Sequence, residues 1–269
     1  MPDLETLIDR FGYCDVTREG AVATIVMNRP EKLNAMTRHF WKDLRDIFDL
    51  IQDDGRTRVA IIAGGGDRAF SAGGDIAGFD EMDGLEEVRA FQQDAMDTFA
   101  AVEFATITVI AAVNGIAFGG GCELTLACDI TLASDDAQFG MPESRIGLVP
   151  GYGVLRAPDV IGRHMTKYLV ASCDSISAQR AYEIGLVQAV YPKAKLMDEA
   201  RALAARIATR STVAIAVGKR LINMGVDRAA TDSSIEALAM LQHSADRNEG
   251  VKAFLGKRPP AFGPPPRRR

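Results

Sequence analysis

The feature that most constrains this chain is a run of three glycines between an apolar stretch and a stretch with helical spacing. Residues 107–113 are typical of a buried strand, and Gly119, Gly120 and Gly121 follow shortly after them. A helix that begins in a glycine turn leaves backbone N–H groups without intrahelical partners, and glycine lets a bound atom approach them closely. The stretch therefore predicts an anion-binding turn, for either a phosphate or an oxyanion that forms during a reaction.

The glycine spacing and Glu123 favour the oxyanion. Neither the dinucleotide pattern G-x-G-x-x-G nor the phosphate-loop pattern G-x-x-x-x-G-K-[ST] occurs here. Glu123 lies in the first turn of the predicted helix, where the helix dipole favours its ionised form and where it would repel a phosphate. The pattern indicates a general base beside an oxyanion hole. The alternative is a glycine turn whose glutamate only satisfies the helix N-terminus.

A second glycine turn, residues 69–76, follows a second predicted strand and offers a second source of exposed backbone amides. Ser71 in this turn is either a nucleophile or a turn hydroxyl that bonds to the backbone. A nucleophile elbow, G-x-S-x-G, requires glycine where Ala69 stands. The turn is therefore of interest mainly for its amides.

Glu143 is the second candidate carboxylate. It follows Pro142, which fits the first position of a short helix, so on its own Glu143 would only satisfy that helix N-terminus. The pairing with Glu123 points to function, because both would lie at element ends beside glycine turns, where sites in α/β folds usually form.

Composition sets the class of protein and limits its partners. The chain has 269 residues, 47% of them hydrophobic and 25% charged, which is enough for a sizeable core. The net charge of −5 opposes general nucleic-acid binding. Four cysteines without C-x-x-C spacing and only three histidines predict free thiols in a reducing, cytoplasmic compartment and no metal site. We expect no signal peptide and no membrane span, because no apolar run reaches about 18 residues.

Strands and helices alternate up to about residue 193 and only helices are predicted beyond it, which indicates an α/β fold with a helical C-terminal region. We therefore divide the chain into a core with the active site, 1–193, and a helical region with a disordered basic tail, 194–269. The predicted strands are 21–27, 59–63, 107–113, 129–133, 137–140 and 187–190; the predicted helices are 37–53, 80–103, 154–161, 166–171, 177–184, 196–208, 213–224 and 235–243.

Four segments together resemble the enoyl-CoA hydratase/isomerase (crotonase) family, in the family's order, within a match that spans roughly residues 20–262. They are Asn28-Arg29-Pro30…Leu33-Asn34-Ala35, Ala69-Phe70-Ser71-Ala72-Gly73-Gly74-Asp75-Ile76, Val113-Asn114-Gly115…Gly119-Gly120-Gly121-Cys122-Glu123-Leu124, and Pro142-Glu143…Ile146-Gly147…Pro150-Gly151. The resemblance implies a crotonase-like spiral of ββα units whose C-terminal helices build a homotrimer, often paired into a hexamer. It also implies a lyase that hydrates a 2-trans-enoyl-CoA to a 3-hydroxyacyl-CoA.

The resemblance implies roles for individual residues. The backbone N–H groups of Gly74 and Gly120 would form the oxyanion hole for the thioester carbonyl, and Glu123 and Glu143 would be the two catalytic carboxylates. The expected substrate contacts are Lys32, Leu33, Ala72, Gly73, Gly74, Asp75, Ile76, Gly120, Lys257 and Phe262, of which the last two could reach the CoA of a neighbouring subunit. CoA would arrive as part of the substrate, so no separate cofactor is expected.

Departures from the family pattern leave the acyl group and the reaction open. Gly74 stands where hydratases often have alanine, and glycine keeps the amide donor. Ala77 stands where many relatives have a charged residue. Residues 154–157 replace the Gly-Thr-Gln-Arg that is common in the pocket wall. The alternatives are a Δ3,Δ2-enoyl-CoA isomerase, a hydrolase acting on an acyl-CoA, a non-catalytic RNA-binding relative and a serine peptidase on a related spiral fold. Two candidate glutamates favour hydration, because isomerisation can proceed with one.

Overall fold

The structure, a computed structural model, describes residues 11–75, 85–224 and 245–264. Within these ranges, strands and helices alternate up to residue 191 and only helices follow, as the sequence predicts. The predicted helix 235–243, Ile76, Ala77 and the tail from residue 265 lie outside the described residues. No helix in the described ranges combines the length and hydropathy needed to cross a bilayer.

The predicted strands and helices that fall in the described ranges occur in the predicted order, with further elements between them. The strands are β1 Cys14–Glu19, β2 Val22–Met27, β3 Val59–Gly64, β4 Ala69–Ser71, β5 Thr108–Val113, β6 Ile116–Phe118, β7 Ile130–Ser134, β8 Gln138–Gly140, β9 Ile176–Ser177 and β10 Ala189–Tyr191. The α-helices are α1 Arg38–Asp53, α2 Leu85–Glu103, α3 Gly120–Ala127, α4 Gly153–Ile161, α5 Arg163–Ser172, α6 Ala178–Glu183, α7 Leu196–Ala208, α8 Thr212–Met224 and α9 Ala245–Leu255. Short 3₁₀ helices occupy Pro30–Lys32, Pro142–Ile146 and Lys193–Lys195.

Successive strands of the chain enter two sheets in turn, and this alternation produces the spiral. The larger sheet has the order β1-β2-β3-β5-β7-β10, and it is parallel except for the β1–β2 pair. The smaller has the order β4-β6-β8-β9, parallel except for β8–β9. One strand in each sheet followed by a helix repeats as β3-β4-α2 and β5-β6-α3. The predicted crotonase-like architecture is therefore confirmed.

The core lies on both faces of the larger sheet. Every residue of β3 and β5 is buried, as expected for parallel strands covered on two sides. One face packs against α1, whose predicted apolar stripe is buried and whose N-terminal cap is the hydroxyl of Thr37, which accepts from the Phe40 amide at 3.3 Å. The other face packs against α7. The first long helix beyond residue 193 thus completes the core, and the division at residue 193 stays a prediction.

Five described strands and α-helices were not predicted, namely the strands β1, β4, β6 and β9 and the helix α9. β1 is an edge strand whose sequence, CDVTRE, has few apolar residues, and it forms by pairing with β2. α9, with the sequence ADRNEGVKAFL, has little apolar periodicity and lies beyond the last predicted helix. All four cysteines are free thiols, as predicted.

Candidate active site

The two glycine turns meet at one edge of the smaller sheet. They follow β4 and β6, which are parallel neighbours, so both turns leave the sheet on the same side. A methyl group on Gly73 would lie 3.1 Å from the Gly120 amide nitrogen, and one on Gly120 would lie 3.7 Å from the Gly74 amide nitrogen. The structure therefore brings together the two amides that the family resemblance assigns to an oxyanion hole.

Both turns need glycine for their backbone conformation and for space. Gly73 has φ +96°, and Gly119 has φ +52° with ψ −126°, which are conformations that other residues rarely adopt. Gly120 is the first residue of α3, so its amide has no intrahelical acceptor. Neither the Gly74 nor the Gly120 amide donates to an acceptor within the described part of the chain. Both donors are therefore available to a ligand.

Glu123 lies in the first turn of α3 and is buried, with 7% of its surface exposed. Its Oε1 accepts hydrogen bonds from the amides of Tyr152 and Gly153, each at 2.8 Å. Burial raises the pKa of the Glu123 carboxyl, and these two amides oppose that rise because they favour the ionised form. The donors sit at the start of α4, so the helix dipole also favours negative charge on Oε1.

Glu143 lies in the 3₁₀ helix Pro142–Ile146 and faces the same region. Burial raises its pKa to about 7; its own backbone amide opposes the rise and the negative charge of Glu123 adds to it. Its Oε2 is buried without a hydrogen-bond partner, and its Oε1 would lie 3.0 Å from a methyl group on Gly119. Two carboxyl groups in different environments thus stand beside the glycine turns, which is an arrangement typical of an acid and a base.

These groups line one cavity of about 650 Å³. Ala72, Gly73, Gly74, Gly120 and the two glutamates, all predicted site residues, lie on its wall. The rest of the wall is mostly apolar and comes from α1, α2 and the segment 146–152; its members include Trp41, Phe91, Ala95, Met96, Phe99, Ile146, Leu148, Val149 and Tyr152. The cavity therefore joins a polar reactive end to an apolar chamber, as ligand sites commonly do.

Three predicted contacts, Lys32, Leu33 and Asp75, lie in or next to the second glycine turn but not on this cavity wall. The Ala72 amide donates to the Leu33 carbonyl at 2.9 Å, and Lys32 is exposed on the adjoining 3₁₀ helix. Asp75 forms an ion pair with Arg29 at 2.5 Å, which ties the two segments together. Their predicted contacts with CoA stay predictions.

Lys257 and Phe262 do not line the cavity of their own chain. Lys257 is exposed, and the Phe262 carbonyl accepts from the Arg58 guanidinium at 3.0 Å, at the start of β3. A role for these two residues toward a neighbouring subunit stays a prediction.

Ser71 has the turn-hydroxyl arrangement. Its Oγ donates to the Asn34 carbonyl at 2.8 Å and accepts from the Gly73 amide at 3.1 Å, and the residue is fully buried. The hydroxyl therefore stabilises the second glycine turn.

Sequence reasoning missed the role of the segment Pro150-Gly151-Tyr152-Gly153 in holding Glu123. A signal was present, since a glycine at a helix start frees backbone donors here as it does at Gly120. It also missed the contribution of α2 to the cavity, because a helical apolar stripe does not tell which face of the fold it will cover.

Comparison with known proteins identifies the family of the chain. The profile described as Enoyl-CoA hydratase/isomerase matches residues 17–265, and the chain belongs to that family. The chain is 36% identical over 250 residues to crotonyl-CoA hydratase of Syntrophomonas wolfei, covering 91% of this chain and 95% of that protein. It is also 36% identical over 246 residues to short-chain-enoyl-CoA hydratase of Clostridium acetobutylicum, covering 90% and 94%. The crystal structure of enoyl-CoA hydratase from Bacillus anthracis superposes with a TM-score of 0.89 at 35% identity, over 93% of this chain and 99% of that one.

Proposed function

We propose that this chain is a lyase that adds water across the double bond of a 2-trans-enoyl-CoA and yields a 3-hydroxyacyl-CoA. The observation that carries the proposal is the single cavity wall that holds two free glycine amides and two glutamates. The names of the relatives, crotonyl-CoA hydratase and short-chain-enoyl-CoA hydratase, support the same reaction and favour a short acyl group.

The amides of Gly74 and Gly120 would bind the thioester oxygen. Attack of water at C3 moves negative charge onto that oxygen as an enolate forms, and two backbone donors would stabilise it. One such donor typically contributes ~10²–10³ in rate. The glycine conformations keep these donors in place before the reaction begins.

Glu123 would act as the base and Glu143 as the acid. Two amides bonded to the Glu123 carboxylate favour its ionised form, which can take a proton from water as the water attacks C3. Glu143 has a pKa of about 7 and a buried oxygen without a partner, so its protonated form is populated near neutral pH and can deliver a proton to C2.

The remaining assignments belong to the same proposal. CoA enters as part of the substrate, with its pantetheine and adenine ends against Lys32, Leu33, Asp75 and Ile76, and the acid–base steps use the chain's own side chains. The protein would work in the cytoplasm as a homotrimer or hexamer, in which Lys257 and Phe262 reach the CoA of a neighbouring subunit. No nucleic acid takes part, in line with the net charge of −5.

A panel of 2-enoyl-CoA esters of increasing acyl length tests the reaction. Loss of the conjugated absorbance, with incorporation of one heavy oxygen atom from labelled water into the product, is the expected result. A shifted double bond without label would identify an isomerase, and release of free CoA would identify a hydrolase. Either outcome would refute hydration as the reaction of this chain.

Glu123→Gln and Glu143→Gln test the two carboxyl groups. Each should lower kcat by at least ~10²–10⁴-fold, the usual contribution of a general acid or base, with little change in the affinity for the CoA ester. Glu183→Gln is the control, because Glu183 is exposed on α6 and pairs with Arg180 away from the cavity. Near-normal turnover in both active-site variants would remove hydration from consideration.

A further inference from the structure

The turn whose amides bond to Glu123 is itself anchored through the side chain of Tyr152. The Tyr152 amide donates to Glu123, while the hydroxyl of the same residue donates to the carboxylate of Glu103, the last residue of α2. The Glu103 Oε2 that accepts this bond also accepts from Nε of Arg156 at 3.0 Å. One tyrosine therefore connects a buried carboxylate outside the reactive end to the candidate base.

Packing restricts the Tyr152 ring as well. Its centroid lies 4.8 Å from that of Phe99, and the Arg156 guanidinium lies 5.8 Å from it. Tyr152 and Glu103 are both buried, with 4% and 8% of their surfaces exposed. Hydrogen bonds with an ionised partner are stronger than neutral ones, more so away from water, so this ring has little freedom to turn.

The link also reaches the C-terminal helices. The side chain of Asn223, in α8, donates to the Glu103 carbonyl at 3.0 Å, which anchors the end of α2 against that helix. Residues of α4 and its N-cap therefore hold the Glu103 carboxylate, while α8 holds the Glu103 carbonyl at the end of α2.

We propose that Glu103 and Tyr152 are positioning residues for Glu123, which act by holding the amides of Tyr152 and Gly153 against its Oε1. The inference rests on the proposed function only in so far as it treats Glu123 as the base. Neither Glu103 nor the Tyr152 hydroxyl takes part in a proton transfer to substrate.

Loss of the hydrogen bond between Tyr152 and Glu103 has a measurable consequence. If the turn relaxes, Glu123 loses amide donors that favour its ionised form but stays buried, so the pKa of its carboxyl must rise. A base with a higher pKa is protonated at higher pH, and the acid limb of the kcat/KM profile should follow it. A change that only reduced the folded fraction would lower activity at every pH and leave the limb in place.

Tyr152→Phe tests the link, because it removes the hydroxyl and keeps the ring. We expect the Glu123 carboxyl to titrate about one unit higher, measured by NMR on protein with ¹³C-labelled glutamate and assigned by the signal lost in Glu123→Gln. The acid limb should shift by the same amount, with kcat/KM about tenfold lower on that limb and KM little changed. Glu103→Gln should give a smaller shift in the same direction, since an amide oxygen is a weaker acceptor.

Tyr168→Phe is the matched control. The Tyr168 hydroxyl also donates to a carboxylate, that of Asp174 at 2.7 Å, but on an exposed part of α5 outside the cavity, so its loss should change neither readout. A Glu123 titration that is unchanged in folded Tyr152→Phe, or in Glu103→Gln if the first variant does not fold, overturns the proposal. The NMR titration needs no turnover, so a wild type that hydrates no enoyl-CoA would refute the proposed function separately.

Discussion

Gly119→Ala should impair catalysis through a single added methyl group. Gly119 has φ +52° and ψ −126°, and a methyl group there would lie 3.0 Å from Oε1 of Glu143. That separation is shorter than ordinary contact between carbon and oxygen, so the carboxyl group must move by a few tenths of an ångström. The substitution therefore strains the backbone and displaces the proposed acid at the same time.

Both effects have an expected size. An L-residue held in a sparsely populated backbone conformation costs of order 1–3 kcal/mol, so the free energy of unfolding should fall by about that amount. Displacement of a catalytic group by as much as 1 Å can cost ~10²-fold in rate, and a smaller displacement should lower kcat by roughly tenfold or more. KM should change less than kcat, because the substitution removes no oxyanion donor.

Gly55→Ala separates the two effects. Gly55 also has a positive φ, +67°, but a methyl group there meets nothing within 4 Å, and the residue lies outside the cavity wall. This variant should lose ~1–2 kcal/mol in urea unfolding and keep the kcat of the wild type. If Gly119→Ala showed the same kcat as Gly55→Ala, the proposed contact between residue 119 and the acid would be refuted.

Two further predictions concern buried charge. The pKa of Glu143 is raised from 4.5 to about 7. The stability that this carboxyl group contributes is therefore full below pH 4.5 and is lost as pH rises through about 7. In urea unfolding, Glu143→Gln should have the same free energy of unfolding as the wild type at pH 4 and a free energy ~1–3 kcal/mol higher at pH 8. Equal stability at both pH values would contradict the raised pKa. Lys219→Met should lower the free energy of unfolding by ~1–3 kcal/mol, because the Asp129 carboxylate, whose side chain is 22% exposed, loses its partner at 2.8 Å, and adding Asp129→Asn should restore part of that loss. The exposed Lys42–Asp46 pair is the control: Lys42→Met should change little.

Patterns in the sequence predicted those elements that are stabilised by interactions between residues close together in the chain. The helix α1 was predicted from Thr37 to Asp53 because its cap and its 3.6-residue apolar period act within a few turns of chain, and both are present in the structure. The apolar runs that form β3 and β5 were recognised for a similar reason. Ser71 could be interpreted in two ways, and only its bond to Asn34, 37 positions away, decided between them.

The glycine turns show which properties of the site a sequence motif can predict. Their residue types predicted free amides, and the family resemblance paired Gly74 with Gly120, but their proximity follows from β4 and β6 being neighbours in a sheet. No pattern predicted the bond from the Gly153 amide to Glu123, which joins residues 30 positions apart, or the bond between Tyr152 and Glu103, which joins residues 49 apart. Such contacts depend on how distant elements of the fold pack against one another.

The sequence by itself determined most of the order of strands and helices, the family, and the residues proposed for the reactive end, because these depend on short-range periodicity, capping and glycine conformations. The tertiary structure alone decided the environment of the two glutamates. Burial raises the pKa of both carboxyl groups, but the amides of α4 reach only Glu123 and leave a buried oxygen of Glu143 without a partner. Two residues of the same type therefore acquire different protonation behaviour, since desolvation and hydrogen bonding are set by neighbours distant in sequence.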